Sequence, residues 1–250
     1  MIREIIARFK QGYQTMSYPR TPVILPERFR GYPVINSGLS PEATSRMADA
    51  CSFGALSIDG GLSLDMGKCL FCSDCPAREA VTFSQDSDLS VTDRDQLLVS
   101  RENGRQVARP LPANLLKLVG RSLKLREVSA GGCNACEADT NVLSTIGWDL
   151  GRFGVQFVAS PRHADGLFVT GPVTDNMKHA LVQTYDAIAK PKIVIACGAC
   201  AIGGGPYRDL PAVNNGIGDL LPVDLFIPGC PPHPVTILDG ILRLLDLKTK

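Results

Sequence analysis

Apolar residues recur at helical spacing in the first turns of the chain. Ile2, Ile5, Ile6 and Phe9 fall on one face, with Arg3, Arg8 and Lys10 elsewhere. The pattern predicts an amphipathic helix. Its apolar face is expected to dock on the protein's own body, or on a partner or membrane surface, where a basic amphipathic helix lies flat. Residues 18–42 carry Pro19, Pro22, Pro26, Pro33 and Pro41, and read as an extended, wrapping segment. Ala55-Leu56-Ser57-Ile58 and Leu62-Ser63-Leu64 flank the turn Asp59-Gly60-Gly61, which suits a tight hairpin. The polar and charged run 84–110 reads as a linker, and residues 114–126 as a helix.

The second half alternates two periods. Residues 155–158, 166–170, 193–196 and 223–227 are short apolar runs rich in β-branched and aromatic residues. Residues 141–150, 175–189 and 235–247 have helical patterning. Such alternation predicts an α/β fold, a parallel sheet with helices on both faces. Composition changes this picture little. The chain of 250 residues is 44% hydrophobic and 20% charged, as ordinary globular proteins are. A net charge of +1 supplies no basic excess for nucleic acid. No apolar run reaches the ~18 residues of a membrane span, and the first ten residues lack the apolar core of a secretory signal or a twin-arginine pair. A cytoplasmic location is expected. Thiols stay reduced there, so nine cysteines read as metal ligands rather than disulfides.

Eight of the nine sort into two sets of four. The first is Cys51 with Cys69-x-x-Cys72-x-x-Cys75-Pro76. Two-cluster ferredoxins carry two copies of C-x2-C-x2-C-x3-C, and the fourth cysteine of each copy crosses to the other cluster. Aligned on that pattern, Cys69, Cys72 and Cys75 begin the second copy and Cys51 ends the first. The remaining positions fall on Pro41, Thr44, Met47 and Glu79, none of them a cysteine. One 4Fe-4S ligand set is thus complete and the other absent. A four-cysteine zinc site is the alternative, but zinc sites usually use two separated pairs. Asp74, inside the run, reads as a solvated loop residue.

The second set is Cys133-x-x-Cys136, Cys200 in Gly198-Ala199-Cys200, and Cys230 in Gly229-Cys230-Pro231-Pro232. Cys200 and Cys230 lie just past predicted strands, where open α/β sheets bind their ligands. Glycines in these loops let backbone N–H groups approach cluster sulfurs. Two cubanes in one chain imply an electron carrier. The ninth cysteine, Cys197, reads as a buried free thiol. Gly203-Gly204-Gly205 lacks the Lys-Ser/Thr of a phosphate loop. His179 and His233 read as surface or helix-capping residues.

Residues 8–83 resemble the two-cluster ferredoxin subunits of respiratory complex I and of membrane-bound hydrogenases. The matching stretches are Phe9-Lys10-Gln11-Gly12, Tyr18-Pro19, Leu25-Pro26-Glu27-Arg28-Phe29-Arg30-Gly31 and Ala50-Cys51-Ser52-Phe53-Gly54-Ala55-Leu56. Residues 120–248 are similar to the small subunit of nickel–iron hydrogenases and its complex I counterpart. The motifs are those around Cys133, Cys200 and Cys230, with Ser160-Pro161-Arg162-His163-Ala164-Asp165. The resemblance implies a proximal 4Fe-4S cluster on Cys133, Cys136, Cys200 and Cys230. Complex I subunits typically have two adjacent cysteines where this chain spaces Cys133 from Cys136; the spaced pair resembles energy-converting hydrogenases, including formate hydrogenlyase. Arg162 or His163 near the cluster or an interface, and Glu137 as a proton relay, stand beside equally open structural roles.

The expected organisation is a docking helix and extended segment at 1–42, a one-cluster ferredoxin-like α+β module at 43–85, a linker at 86–113, and a flavodoxin-like α/β domain at 114–250. The resemblance implies an electron-transfer subunit with no catalytic residue of its own. Its expected partners are a nickel–iron large subunit, a ferredoxin-like subunit and a membrane module, on the inner face of the cell membrane. A complex I-like quinone reductase subunit and a zinc-bound structural adaptor are the rival readings.

Overall fold

The computed structural model describes residues 2–36, 39–58, 61–73 and 75–248, and only the backbone of Pro41. The turn expected at Asp59-Gly60 and the solvated Asp74 lie outside the described residues. The amphipathic pattern at the start forms α1 (Ile2–Gln11), which buries none of its residues. Phe9 is 86% exposed, so this apolar face is not docked on the body of the protein. The proline-rich segment follows and ends in β1 (Pro33–Ile35). Ser40 caps α2 (Pro41–Asp49), its hydroxyl accepting from the Ala43 N–H at 3.3 Å, and a proline in the first turn lacks only an N–H the helix would not use.

The expected hairpin forms as β2 (Leu56–Ile58) and β3 (Leu62–Asp65), antiparallel. β4 (Val81–Phe83) returns to pair with β1. Within the polar stretch read as a linker, Leu98–Ser100 forms β5, which pairs with the other edge of β3. Val91 also bridges to Phe226 far along the chain.

One stretch departs from its sequence pattern. Residues 114–126 are not one helix: α3 (Ala113–Val119) stops at Gly120, and β6 (Leu123–Ser129) follows. Leu123 and Leu125 are buried and alternate with Lys124 and Arg126, a strand period hidden behind the preceding helix. The next helix is likewise displaced: α4 is Ala135–Val142 rather than 141–150, starting inside the first cysteine pair of the second set. Then come β7 (Val155–Phe157), β8 (Gly166–Thr170), α5 (Asp175–Ala187), β9 (Ile193–Cys197), α6 (Gly198–Gly203), β10 (Leu225–Ile227) and α7 (Pro234–Leu244).

The five strands from β6 onward pair in parallel in the order β10-β9-β8-β6-β7. Read from the other edge and numbered within this half alone, that is 2-1-3-4-5, the flavodoxin-like doubly wound order. Alternation sorts its side chains. Phe168, Ile193, Ile195 and Cys197 pack on the face covered by α7, while Leu167, Val169, Val194 and Ala196 face the other way. The second face does not belong to this half alone: Leu64, Met66 and Leu97 of the first half join the same apolar cluster as Leu167 and Ile202. The two halves therefore share a core, and removing this apolar surface from water holds them together.

A buried polar group also ties them. Tyr18, in the wrapping segment, donates to Asp239 of α7 at 2.7 Å. Arg243 Nε donates to the other Asp239 oxygen at 2.7 Å, and Lys248 closes the set. Arg243 also reaches Asp88 at 3.2 Å. Burial, then Asp239, pushes the Tyr18 hydroxyl well above its ordinary range, so it remains a donor.

Candidate metal–sulfur centres

Local structure delivers the first four cysteines to one place. Cys51 follows the end of α2, its N–H donating to the Ala48 carbonyl at 3.1 Å. Asp65, at the end of β3, organises the next loop. Its carboxylate takes the two ends of the Arg94 guanidinium at 2.9 and 2.7 Å and the Gly67 N–H at 2.8 Å. Its carbonyl accepts from Cys69 N–H at 2.9 Å. The chain then turns through Phe71, whose φ of 52° is left-handed. That turn aims the Phe71 N–H at Cys69 Sγ, 3.4 Å away.

Burial pushes the Cys69 thiol up to about 12; the Phe71 N–H works against this, and Cys75, Cys72 and Cys51 add to it. Those three are the other members of the expected set. Cys75 is raised too, chiefly by burial, with its neighbours Cys72 and Cys51 contributing and Arg30 opposing.

The second four gather at the carboxyl ends of β6, β9 and β10. Cys133 and Cys136 straddle the start of α4, where Asn134 takes φ 70°. Cys200 sits on α6 directly after β9, and Cys230 in the loop between β10 and α7. Burial pushes Cys200 up to about 12, and Cys230, Cys136 and Cys133 add to it, again the remaining members of its set. Cys230 rises to about 11 from burial, with Cys136 and Cys133 contributing.

Glycine is required beside these sulfurs. Gly198 has φ +90°, and a Cβ there would stand 2.6 Å from Cys136 Sγ; one on Gly205, φ +55°, would stand 2.6 Å from Cys200 Sγ. Gly198→Ala is therefore expected to lower the iron content of the purified protein, by about four atoms per chain for one 4Fe-4S cluster. An unchanged iron content would show that the cradle is not needed.

Burial, with neighbouring thiols adding to it, raises Cys69 and Cys75 in the first set and Cys200 and Cys230 in the second, so a positive centre there would favour their thiolates. A metal core with a thiolate on each of four irons supplies it. Among the described residues no three His, Cys, Asp or Glu side chains converge closely enough for a single ion. The fit to a larger centre rests on the glycine cradle around Cys136 and Cys200 and on the Phe71 N–H directed at Cys69 Sγ.

The remaining expected residues sort as follows. Cys197 is wholly buried on β9 and hydrogen-bonds Cys136 rather than joining the quartet's surface loops; burial, then Cys136, raises its thiol. Glu137 is buried, its Oε1 accepting from Thr170 Oγ1 at 2.6 Å. Arg162 and His163 are exposed on a short turn after β7, and His179 is exposed on α5. His233 caps α7, its Nδ1 accepting from Val235 N–H at 3.2 Å, and burial lowers its pKa. Of the positions aligned with missing ligands, Met47 packs against the shared core and Glu79 is exposed.

Two residues escaped sequence reasoning. Glu127 lies on the interior strand β6, pushed up to about 7 by burial and by Glu137; its Oε1 has no hydrogen-bond partner among the described residues. A charged residue on an interior strand is a signal, but only once β6 is recognised. The other is Arg30. Between Cys75 and Cys230 lies a cleft of about 900 Å³, lined also by Phe29, Arg30, Phe71 and His233.

The fold and this donor set define an α/β domain with four cysteines gathered where its strands end. The family model of the 20 kDa subunit of NADH–ubiquinone oxidoreductase matches residues 133–244. A probable membrane-bound hydrogenase subunit, mbhJ, of Pyrococcus furiosus is 44% identical over 138 residues, 55% of this chain and 83% of that protein. Formate hydrogenlyase subunit 7 of Escherichia coli is 42% identical over 137 residues, 55% of this chain and 54% of that one. An NADH-quinone oxidoreductase subunit of Bacteroides fragilis is 43% identical over 112 residues, 44% of this chain and 57% of its own length. The chain belongs to the NADH–ubiquinone oxidoreductase 20 kDa subunit family. Members of that family are subunits of oxidoreductase complexes and bind a 4Fe-4S cluster. Among the described residues no helix is long and apolar enough to cross a membrane.

Proposed function

We propose that this chain is the electron-relay subunit of an energy-converting nickel–iron hydrogenase of the formate hydrogenlyase kind. In this reading, Cys51, Cys69, Cys72 and Cys75 of a ferredoxin-like module hold one 4Fe-4S cluster. Cys133, Cys136, Cys200 and Cys230 hold a second. When bound, such clusters supply one-electron redox chemistry. The chain's own residues ligate, exclude water and direct N–H groups at sulfur. None acts as acid, base or nucleophile, and hydrogen chemistry belongs to a separate large subunit. A ferredoxin-like donor subunit and a membrane module complete the complex, with the chain peripheral on the inner membrane face.

The observation that carries the reading is the placement of Cys133, Cys136, Cys200 and Cys230 at the carboxyl ends of the parallel strands, with glycines whose Cβ would stand 2.6 Å from Cys136 Sγ and Cys200 Sγ. In the first set, the Phe71 N–H points at Cys69 Sγ from 3.4 Å, as a hydrogen bond to a cluster-bound sulfur would. Two separate quartets are what two cubanes need. The likeness to mbhJ and to formate hydrogenlyase subunit 7, and the spaced pair Cys133 and Cys136, favour a hydrogenase. The likeness to the NADH-quinone oxidoreductase subunit of Bacteroides fragilis keeps a quinone reductase as the second reading.

The test is hydrogen evolution by the affinity-purified native complex with a reduced viologen, alongside its nickel content. Hydrogen and nickel together are the expected result. Quinone reduction with neither would move the assignment to the quinone reductase.

A further inference from the structure

Arg30 is held beside the first cysteine set by contacts that fix both its charge and its fork. Its two terminal nitrogens donate to the Phe71 carbonyl at 3.4 Å and to the Ser73 carbonyl at 3.1 Å. Both carbonyls lie in the loop between Cys69 and Cys75. Its guanidinium stands 5.6 Å from the centre of the Phe83 ring, and Phe83 in turn meets Phe71 at 5.7 Å between ring centres. The side chain is half-buried and lines the cleft that also exposes Cys75 and Cys230.

We infer that Arg30 is a positioning and tuning residue that raises the reduction potential of the cluster on Cys51, Cys69, Cys72 and Cys75 above what the thiolates alone would set. This rests on the two-cluster reading above. A reduced cluster carries one more negative charge than an oxidised one. A fixed cation lining the same cleft as Cys75 stabilises that extra charge, and partial burial limits its screening by water. The hydrogen bonds of Arg30 go to neutral carbonyls, and among the described residues no carboxylate pairs with it. Arginine suits the task because it stays charged and its planar fork spans two carbonyls while its face lies on an aromatic ring.

The role divides into charge and clamp, and two substitutions separate them. Arg30→Lys keeps the charge and loses the fork. Arg30→Gln keeps an amide able to donate to one carbonyl and loses the charge. The experiment is a potentiometric titration of the anaerobically purified chain followed by electron paramagnetic resonance, with iron counted in each sample. Wild type should give two cluster signals. Arg30→Gln should retain the iron and lower the potential of the first signal, with a smaller change in the second. Arg30→Lys should leave the first potential near wild type. If Gln leaves the potential where it was, or Lys and Gln lower it equally, the charge is not what tunes the site and the inference is overturned. If wild type itself gives one signal, the two-cluster reading fails and takes the inference with it.

Discussion

Cys200→Ser is expected to strip the second cluster and leave the first, reducing iron from about eight to about four atoms per chain. The native complex carrying it should evolve no hydrogen. Cys197→Ala, three positions away, should keep all the iron. The contrast is sharp because the two thiols occupy one C-x-x-C and only their environments separate them. Cys200 sits on α6 among Cys230, Cys136 and Cys133. Cys197 ends a central strand and points into the packed α7 face with Ile193 and Ile195. Its sulfur partner, Cys136, is itself a member of the quartet. Serine offers a hard oxygen in place of a soft thiolate and leaves the irons one ligand short. Iron and acid-labile sulfide assays on both variants check the assignment. Iron lost from Cys197→Ala but kept in Cys200→Ser would reverse it.

The second large effect concerns stability. Asp239→Ala should destabilise the protein by roughly 3–5 kcal/mol, because it leaves Arg243 and Lys248 charged beside a vacated anion site. The Asp239 side chain is 1% exposed, so water cannot replace it readily. Tyr18→Phe removes only one donor from the same group and should cost about 1 kcal/mol. It also loosens the wrapping segment from α7, since Tyr18 is that segment's buried contact with Asp239. Urea unfolding of the loaded protein, followed by circular dichroism, measures both. Equal and small effects would mean that shared apolar burial, not this charge group, fastens the segment.

Both effects also mark what sequence alone could and could not yield. Cysteine spacing put the two ligand sets forward as candidates, since Cys69, Cys72 and Cys75 stand three apart and Cys133 stands three before Cys136. The α/β class was legible because residues 166–170 and 193–196 are unbroken apolar runs, the mark of strands buried on both faces. β6 was not, although it is an interior strand paired on both sides. Its apolar Leu123 and Leu125 alternate with Lys124 and Arg126 directly after a helix, and a window that spans both periods reads as one longer helix. Missing β6 hid Glu127. It also hid why Cys133 stands where it does, in the loop after an interior strand of the sheet. The joining of the halves was invisible for a different reason. Tyr18 and Asp239 lie 221 positions apart, and no pattern of apolar spacing announces such a pair. Arg30 was seen only as part of a resemblance. Its role depends on the carbonyls of Phe71 and Ser73, which a left-handed residue turns toward it.

The central claim is that one chain holds two four-iron centres. The most direct test is the metal and sulfide content of the anaerobically purified chain, with its electron paramagnetic resonance spectrum after reduction. About eight irons and eight acid-labile sulfides are expected, with no stoichiometric zinc and two signals. About four irons with one zinc and a single signal would contradict it, and would make the quartet of Cys51, Cys69, Cys72 and Cys75 a structural zinc site.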